Sequence, residues 1–268
     1  MRIAQILYSQ GFGTRRDCSA LVQRGDVAVD GRPVIDVDED LPEDQLRFTV
    51  RGKPWQYHAT ALVLLHKPAG YECSQKPKHH PSVLALLPPP MRTRGVQPVG
   101  RLDEDTTGLL LLTDDGALIH RLTSPKHHVP KVYEVGCKHP VTDAQLASLR
   151  AGVVLDDDPL PVRAAAAERT GEKTDEQPGK YTLSMTLTEG KYHQVKRMIA
   201  AAGNRVEALH RSRFGTLDLG GTPAPGQWRW VSAAERAALS VTVRGAVSGT
   251  LNVAVSAVPA AAAPAVRG

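Results

Sequence analysis

Four consecutive leucines, Leu109 to Leu112, constrain the fold more than any other stretch. Gly108 precedes them and Thr113-Asp114-Asp115-Gly116 follows. An apolar run of this length between turn residues predicts a buried strand. A short polar loop, Gly100-Arg101-Leu102-Asp103-Glu104-Asp105-Thr106-Thr107, leads into it. A carboxylate at the lip of a buried strand is held by a rigid element and is well placed for chemistry. Taken alone, the same residues read equally well as a turn rich in carboxylates.

The 268 residues allow one large domain or two smaller ones, and 41% apolar residues suffice for an ordinary core. No run of about 18 apolar residues and no basic-then-apolar leader is seen, so the expectation is a cytoplasmic chain without a membrane span. Cys18, Cys73 and Cys137 are far apart and form no CxxC pair, which fits a reducing compartment. The net charge of +5 favours an anionic partner, but only weakly.

Along the chain, Ile3, Ile6 and Leu7 fall at helical spacing. Thr14 caps a second helix that gathers Cys18, Leu21 and Val22 on one face and leaves Arg15, Arg16 and Arg24 off it. Val27 to Val29, Asp30-Gly31 and Pro33 to Ile35 read as a hairpin. Asp36 to Asp44 is an acidic, solvated loop, and Leu46, Phe48 and Val50 alternate as a strand. Residues 51–60 read as a linker. Leu62 to Leu65 is a short strand, Lys76, Lys78, His79 and His80 form a basic loop, and Pro88 to Pro90 is a rigid spacer. The adjacent histidines lack a second ligand pair at metal spacing, and Asp156 to Asp158 read as a solvent-facing turn, so no metal site is expected.

Residues 117–122 and 143–151 read as helices. Lys131 to Val135 alternates, with Lys131, Tyr133 and Val135 on one face. Residues 168–180 are polar. Leu183, Met185 and Leu187 mark a half-buried strand. From His193 a helix is expected, burying Val195, Met198, Ile199 and Ala202. Lys196 and Arg197 oppose the dipole at its start, a local cost that suggests function placed them there. Residues 238–268 read as a disordered tail rich in Ala, Val and Pro.

Three motifs, in order, resemble those of the ribosomal RNA pseudouridine synthases. They are Gly100-Arg101-Leu102-Asp103 with Thr106-Thr107-Gly108-Leu109, then Lys131-Val132-Tyr133-Glu134-Val135, then Glu189-Gly190-Lys191-Tyr192-His193-Gln194-Val195-Lys196-Arg197-Met198. Gly11 to Arg16 and Gly25 to Gly31 resemble an S4 RNA-binding module. Ile3-Ala4-Gln5, His66 and Lys196 depart from the family's usual Leu-Asp-Lys, Asn and Arg. The resemblance implies an α+β fold. An S4-like helical and hairpin domain would occupy residues 1–50, followed by the linker 51–60. A mixed, largely antiparallel catalytic domain would occupy 61–237, before the 238–268 tail.

The implied activity is isomerisation of a uridine in ribosomal RNA without a cofactor. Asp103 would act at C1′ of the ribose, Tyr133 would stack on the uracil, and Lys196, with Arg197 beside it, would supply the cation that keeps Asp103 ionised. Arg101, Lys67, Lys131, Arg197, Arg211, Arg213, Arg15 and Arg16 are the expected RNA contacts. The implied partner is ribosomal RNA or a small-subunit assembly intermediate, met by a monomer. Tyr71-Glu72-Cys73-Ser74, His80-Pro81 and Ser124 to His128 are most similar to the members acting on small-subunit (16S) RNA. A large-subunit (23S) synthase remains an alternative, as does a non-catalytic S4-type assembly protein. So does a carboxylate-dependent hydrolase using Glu104 or Asp105 as its second acid.

Overall fold

The computed structural model describes residues 1–171, 182–220 and 224–247. Its N-terminal unit contains α1 (Ile3–Ser9), α2 (Arg15–Gln23), β1 (Val27–Val29), β2 (Arg32–Pro33), β3 (Arg47–Val50) and β4 (Lys53–Gln56). Thr14 and Asp17 close a reciprocal capping box that starts α2. The four strands pair antiparallel in the order β2-β1-β3-β4. Ile3, Ile6, Leu7, Cys18, Val22 and Phe48 are among the residues that fill their shared core.

The stretch expected as a linker is mostly structured. β4 completes the N-terminal sheet, Tyr57 N donates to Leu46 O at 2.8 Å, and Trp55 and Tyr57 pack on the core. Pro54 is tolerated because β4 is an edge strand. Pro89–Thr93 (α3) replaces the expected proline spacer with a short helix.

A nine-stranded mixed sheet forms the rest. Its strands are β5 (Leu62–Lys67), β6 (Gln97–Pro98), β7 (Thr107–Thr113), β8 (Lys131–Cys137), β11 (Ala166–Arg169), β12 (Leu183–Leu187), β13 (Val206–Phe214), β14 (Leu217–Asp218) and β15 (Trp228–Trp230). The main path is β11-β12-β8-β13-β7-β5-β15. Only β13 and β7 run parallel among these pairs. A separate hairpin joins β9 (Val153–Leu155) and β10 (Asp158–Val162). The helices are α4 (Gly116–Thr123), α5 (Asp143–Ala151), α6 (Gln194–Ala201) and α7 (Ala233–Val247). The architecture is α+β, as expected.

The leucine run lies in β7 and is buried on both faces. Leu110 and Leu112 join Val63 and Leu65 in one core, while Leu109 and Leu111 join Leu62, Leu64 and Phe214 in the other. Full burial of each leucine contributes roughly 1.5–3 kcal/mol. The residues after the run fasten it. Asp114 accepts from Ala61 N at 2.8 Å and pairs with Arg94, and Asp115 caps α4 through Leu118 N at 2.9 Å. Arg94 also donates to Gln10 Oε1 at 2.9 Å, which ties in the N-terminal unit.

The expected tail starts too early at 238. α7 runs through to Val247, and Leu239 is packed in the core beside Leu118 and Leu122. Residues 248–268, and most of the polar segment 168–180, lie outside the described residues.

Gly108 permits the parallel contact of β7 with β13. Its φ is +109°, and a Cβ there would lie 2.3 Å from Arg211 O and 2.7 Å from Arg211 N. Gly108→Ala is therefore expected to lower stability by at least about 2 kcal/mol in a urea titration.

Candidate active site

Asp103 sits on a tight turn in which Thr106 N donates to Asp103 O at 3.1 Å. Lys67 holds this turn from within. Its Nζ donates to Glu104 O at 3.0 Å, Thr106 O at 2.8 Å and Pro68 O at 3.0 Å, so all three N–H groups are used. Lys67 is 0% exposed, and burial pushes its pKa down while nearby carboxylates work the other way. The expected phosphate contact at Lys67 is thus corrected: the side chain points into the protein and braces the turn that carries Asp103. Gly70 N adds a bond to Glu104 O at 2.8 Å.

Two basic groups meet the Asp103 carboxylate. Lys196 Nζ lies 3.3 Å from Oδ2, and His193 Nε2 lies 3.2 Å from Oδ1. Lys196 also holds Asp105 at 2.7 and 2.8 Å. Burial opposes the Lys196 charge, but the Asp105 bond and the charges of Asp103 and Asp105 outweigh it and raise the pKa. Burial likewise opposes ionisation of Asp105, and the contact with Lys196 prevails, holding its pKa below the usual value. Lys196, rather than Arg197, faces Asp103. Arg197 turns to Asp157 and to Tyr192 O. Asp157 and Asp158 are therefore not merely solvated: they pair with Arg197 and Lys191 and steady the start of α6.

His193 was not singled out by its sequence position. It has a left-handed backbone, with φ 46° and ψ 33°, just ahead of α6. Its ring stacks on Tyr192 at a centroid distance of 3.8 Å. Buried Gln194 sets this entry, accepting from Lys191 N at 2.7 Å and donating to Glu189 at 2.8 Å. The only sequence signal was membership in the Glu189 to Met198 motif.

A pocket of about 760 Å³ brings together Arg101, Asp103, Lys131, Tyr133, His193, Lys196 and Arg211. Tyr133 is 8% exposed and lies opposite Arg211 across β8 and β13. Lys131 is also 8% exposed, and burial, then the charge of Arg211, lowers its pKa to about 8. At the rim, the Glu72 carboxylate accepts backbone N–H groups of His79, His80 and Lys78 at 2.8–3.0 Å. These bonds hold its pKa down to about 2 and give the basic loop a defined shape. Arg197 and Arg213 are outside the pocket lining, with Arg213 near Asp218, and Arg15 and Arg16 are exposed on the N-terminal unit. A second concavity of about 860 Å³, between the N-terminal sheet and Trp228 and Trp230, holds none of the groups around Asp103.

A family model for RNA pseudouridylate synthase matches residues 61–201, which include Asp103, Tyr133 and Lys196. The chain belongs to the RNA pseudouridylate synthase family. It is 38% identical over 235 residues to the uncharacterized RNA pseudouridine synthase YtzG of Bacillus subtilis (strain 168), covering 88% of this chain and 96% of that protein. It is 38% identical over 242 residues to the ribosomal small subunit pseudouridine synthase A of Escherichia coli (strain K12), covering 89% of this chain and 100% of that protein. A solved pseudouridylate synthase matches with a TM-score of 0.61 and 30% identity over 89% of this chain and 99% of that one.

Lys67→Met is expected to leave the turn carbonyls of Glu104 and Thr106 without their donor and to destabilise the protein by about 1–3 kcal/mol. Urea denaturation measures this. The ionic-strength dependence of RNA binding should not change, because the ammonium is enclosed.

Proposed function

We propose that this chain isomerises a uridine of small-subunit ribosomal RNA to pseudouridine, with Asp103 as nucleophile. The observation that carries this reading is a carboxylate on a braced turn, inside a pocket, with Lys196 Nζ 3.3 Å away. The reaction breaks the N1–C1′ bond, turns the base and joins C5 to C1′. It needs no external group and no redox change, so the side chains must do all of the work. Asp103 has to be ionised to attack, and a neighbouring cation favours that form. Lys196 fills this role as a point charge rather than a bidentate fork.

Tyr133 stacks on the flipped uracil, while Arg101 fills the space that the base vacates. Flipping costs a few kcal/mol, offset by stacking and phosphate contacts. Lys131 and Arg211 reach the nucleotide inside the pocket. Arg197, Arg213, Arg15 and Arg16 contact phosphates, which fix register without reading sequence. We read the N-terminal unit, through Tyr57, as the S4-like RNA-binding domain. The choice of small-subunit RNA is supported by the similarity to the Escherichia coli small-subunit synthase and by the loop around Glu72. The substrate is the RNA itself or an assembly intermediate, and the enzyme acts as a cytoplasmic monomer.

Tritium release from 5-tritiated uridine tests this reading, with 16S and 23S RNA and with wild type and Asp103→Asn. Release from 16S RNA alone, abolished in Asp103→Asn with RNA affinity retained, is the expected result. Full activity in Asp103→Asn rules out the nucleophile, and release from 23S RNA alone rules out the substrate. Arg15→Ala with Arg16→Ala is expected to weaken binding and reduce the salt slope of log K by about 1–2, as loss of phosphate contacts does. Filter binding at several salt concentrations reads that slope.

A further inference from the structure

Lys131 and Arg211 are two buried cations with no carboxylate at salt-bridge distance among the described residues. Arg211 is 2% exposed and Lys131 is 8% exposed. Lys131 Nζ donates to Val129 O at 2.9 Å, leaving two of its N–H groups. Arg211 Nε donates to Leu109 O at 2.8 Å, while its buried Nη2 has no partner. Both cations lie over the ring of Phe214, at 5.4 and 5.3 Å from its centroid. That contact offsets only part of the desolvation, since an unpaired buried charge is costly. A pair held this way, in the wall of the pocket beside Asp103, is arranged for an anion that arrives with the substrate.

We infer that Lys131 and Arg211 take up the negative charge of the uracil ring once its bond to ribose has broken. The inference rests on the pseudouridine synthase reading above. In that reaction an oxygen of Asp103 bonds to C1′ as the C1′–N1 electron pair passes to N1. The detached base is then an anion, with its charge spread over N1, O2 and O4. After the ring turns, C5 bonds to C1′ and the Asp103 bond breaks, returning its electron pair to the carboxylate. The C5 proton leaves to water and N1 takes one up from water.

Position favours the base over a backbone phosphate. Tyr133, the stacking residue, lies opposite Arg211 across the sheet, and Lys131 precedes it by two residues on the same strand face. A planar delocalised anion suits the guanidinium fork. Both cations are enclosed in the pocket wall.

The test uses the full chain and a small-subunit RNA fragment carrying uridine or 5-fluorouridine at the target. Wild type, Lys131→Met and Arg211→Lys are compared by single-turnover loss of the target nucleoside, by RNA affinity at several salt concentrations and by thermal melting. Lys131→Met is expected to slow uridine conversion by about a hundredfold, the effect of removing one donor to a developing anion. RNA affinity and its salt slope should be unchanged. Melting should change little, because removing the buried charge offsets the loss of the hydrogen bond to Val129 O.

The rate loss should be markedly smaller with 5-fluorouridine, whose fluorine itself stabilises the departing base. Arg211→Lys, which keeps the charge, should lose less rate than Lys131→Met. Equal losses with both nucleosides would overturn the inference, because a role in folding or positioning does not depend on the leaving group. A weakened affinity with a shallower salt slope would also overturn it and assign the pair to a phosphate. A wild type inactive on both RNAs would instead overturn the pseudouridine synthase reading and this inference with it, a result distinct from either of the others.

Discussion

The enclosed ammonium of Lys67 is the contact on which the site depends. It joins the end of β5 to the turn that carries Asp103, through the carbonyls of Pro68, Glu104 and Thr106. An ammonium has three donors, and here each finds an acceptor. Burying the charge is unfavourable, and these three bonds offset it. Backbone carbonyls satisfy the lysine without neutralising it, so its positive charge still acts on the carboxylates of the loop above. A lysine paired with a carboxylate would have held the loop equally firmly and contributed far less field. The same residue therefore fixes the turn that carries Asp103 and adds its charge beneath the loop.

That brace works because what it pulls against is rigid. β7 is packed on both faces by two separate cores, so the strand after the turn cannot tilt toward either side without disturbing a core. Gly108 lets β13 close against β7 at the point where the turn meets the strand. This close approach also delivers Arg211 to the pocket, where its Nε is fixed on Leu109 O. Lys131, Tyr133 and Arg211 are thus mounted on strands, and Asp103 on a turn braced against one. Loops form the rim of the pocket, and the segment from Glu72 to Ser82 is shaped by its own carboxylate. Backbone donors turned inward onto Glu72 leave Lys78, His79 and His80 to project from a loop of fixed form.

Much of this was legible in the sequence where periodicity or turn chemistry carried it. The leucine run, the α5 helix at 143–151, the alternating strand around Tyr133 and the Thr14 cap were all read from spacing, and the family motifs named the residues that now share one pocket. The failures have definite causes. A lysine in a Lys-Pro-Ala-Gly turn is ordinarily solvated, and nothing local shows that Lys67 points inward to carbonyls 37 and 39 residues away. Asp157 and Asp158 looked free because their partners lie 40 and 33 residues on. Lys53-Pro54 read as a break because the pattern does not say that a strand lies at an edge. The part of α7 from 238 was missed because small apolar residues form no distinct stripe. His193 was missed because its left-handed backbone interrupts helical phase where its side chain matters.

On the proposed mechanism, the placing of basic groups follows the course of the reaction. Asp103 has Lys196 and His193 at its two oxygens before substrate enters, and Lys196 is itself anchored by Asp105. Those contacts are present before substrate binds, and the proposed nucleophile requires an ionised carboxylate. Among the described residues Lys131 and Arg211 have no such partner, and they lie on the wall shared with Tyr133. In the proposed mechanism negative charge would begin on Asp103 and pass to the base when the glycosidic bond breaks, because the carboxylate would become an ester as the uracil becomes an anion. Cations that were all paired with carboxylates at rest would stabilise only the first of these states. A pair left unsatisfied favours the second, since its interactions are completed only after bond cleavage. Stabilisation gained later than binding lowers the barrier rather than deepening the ground state.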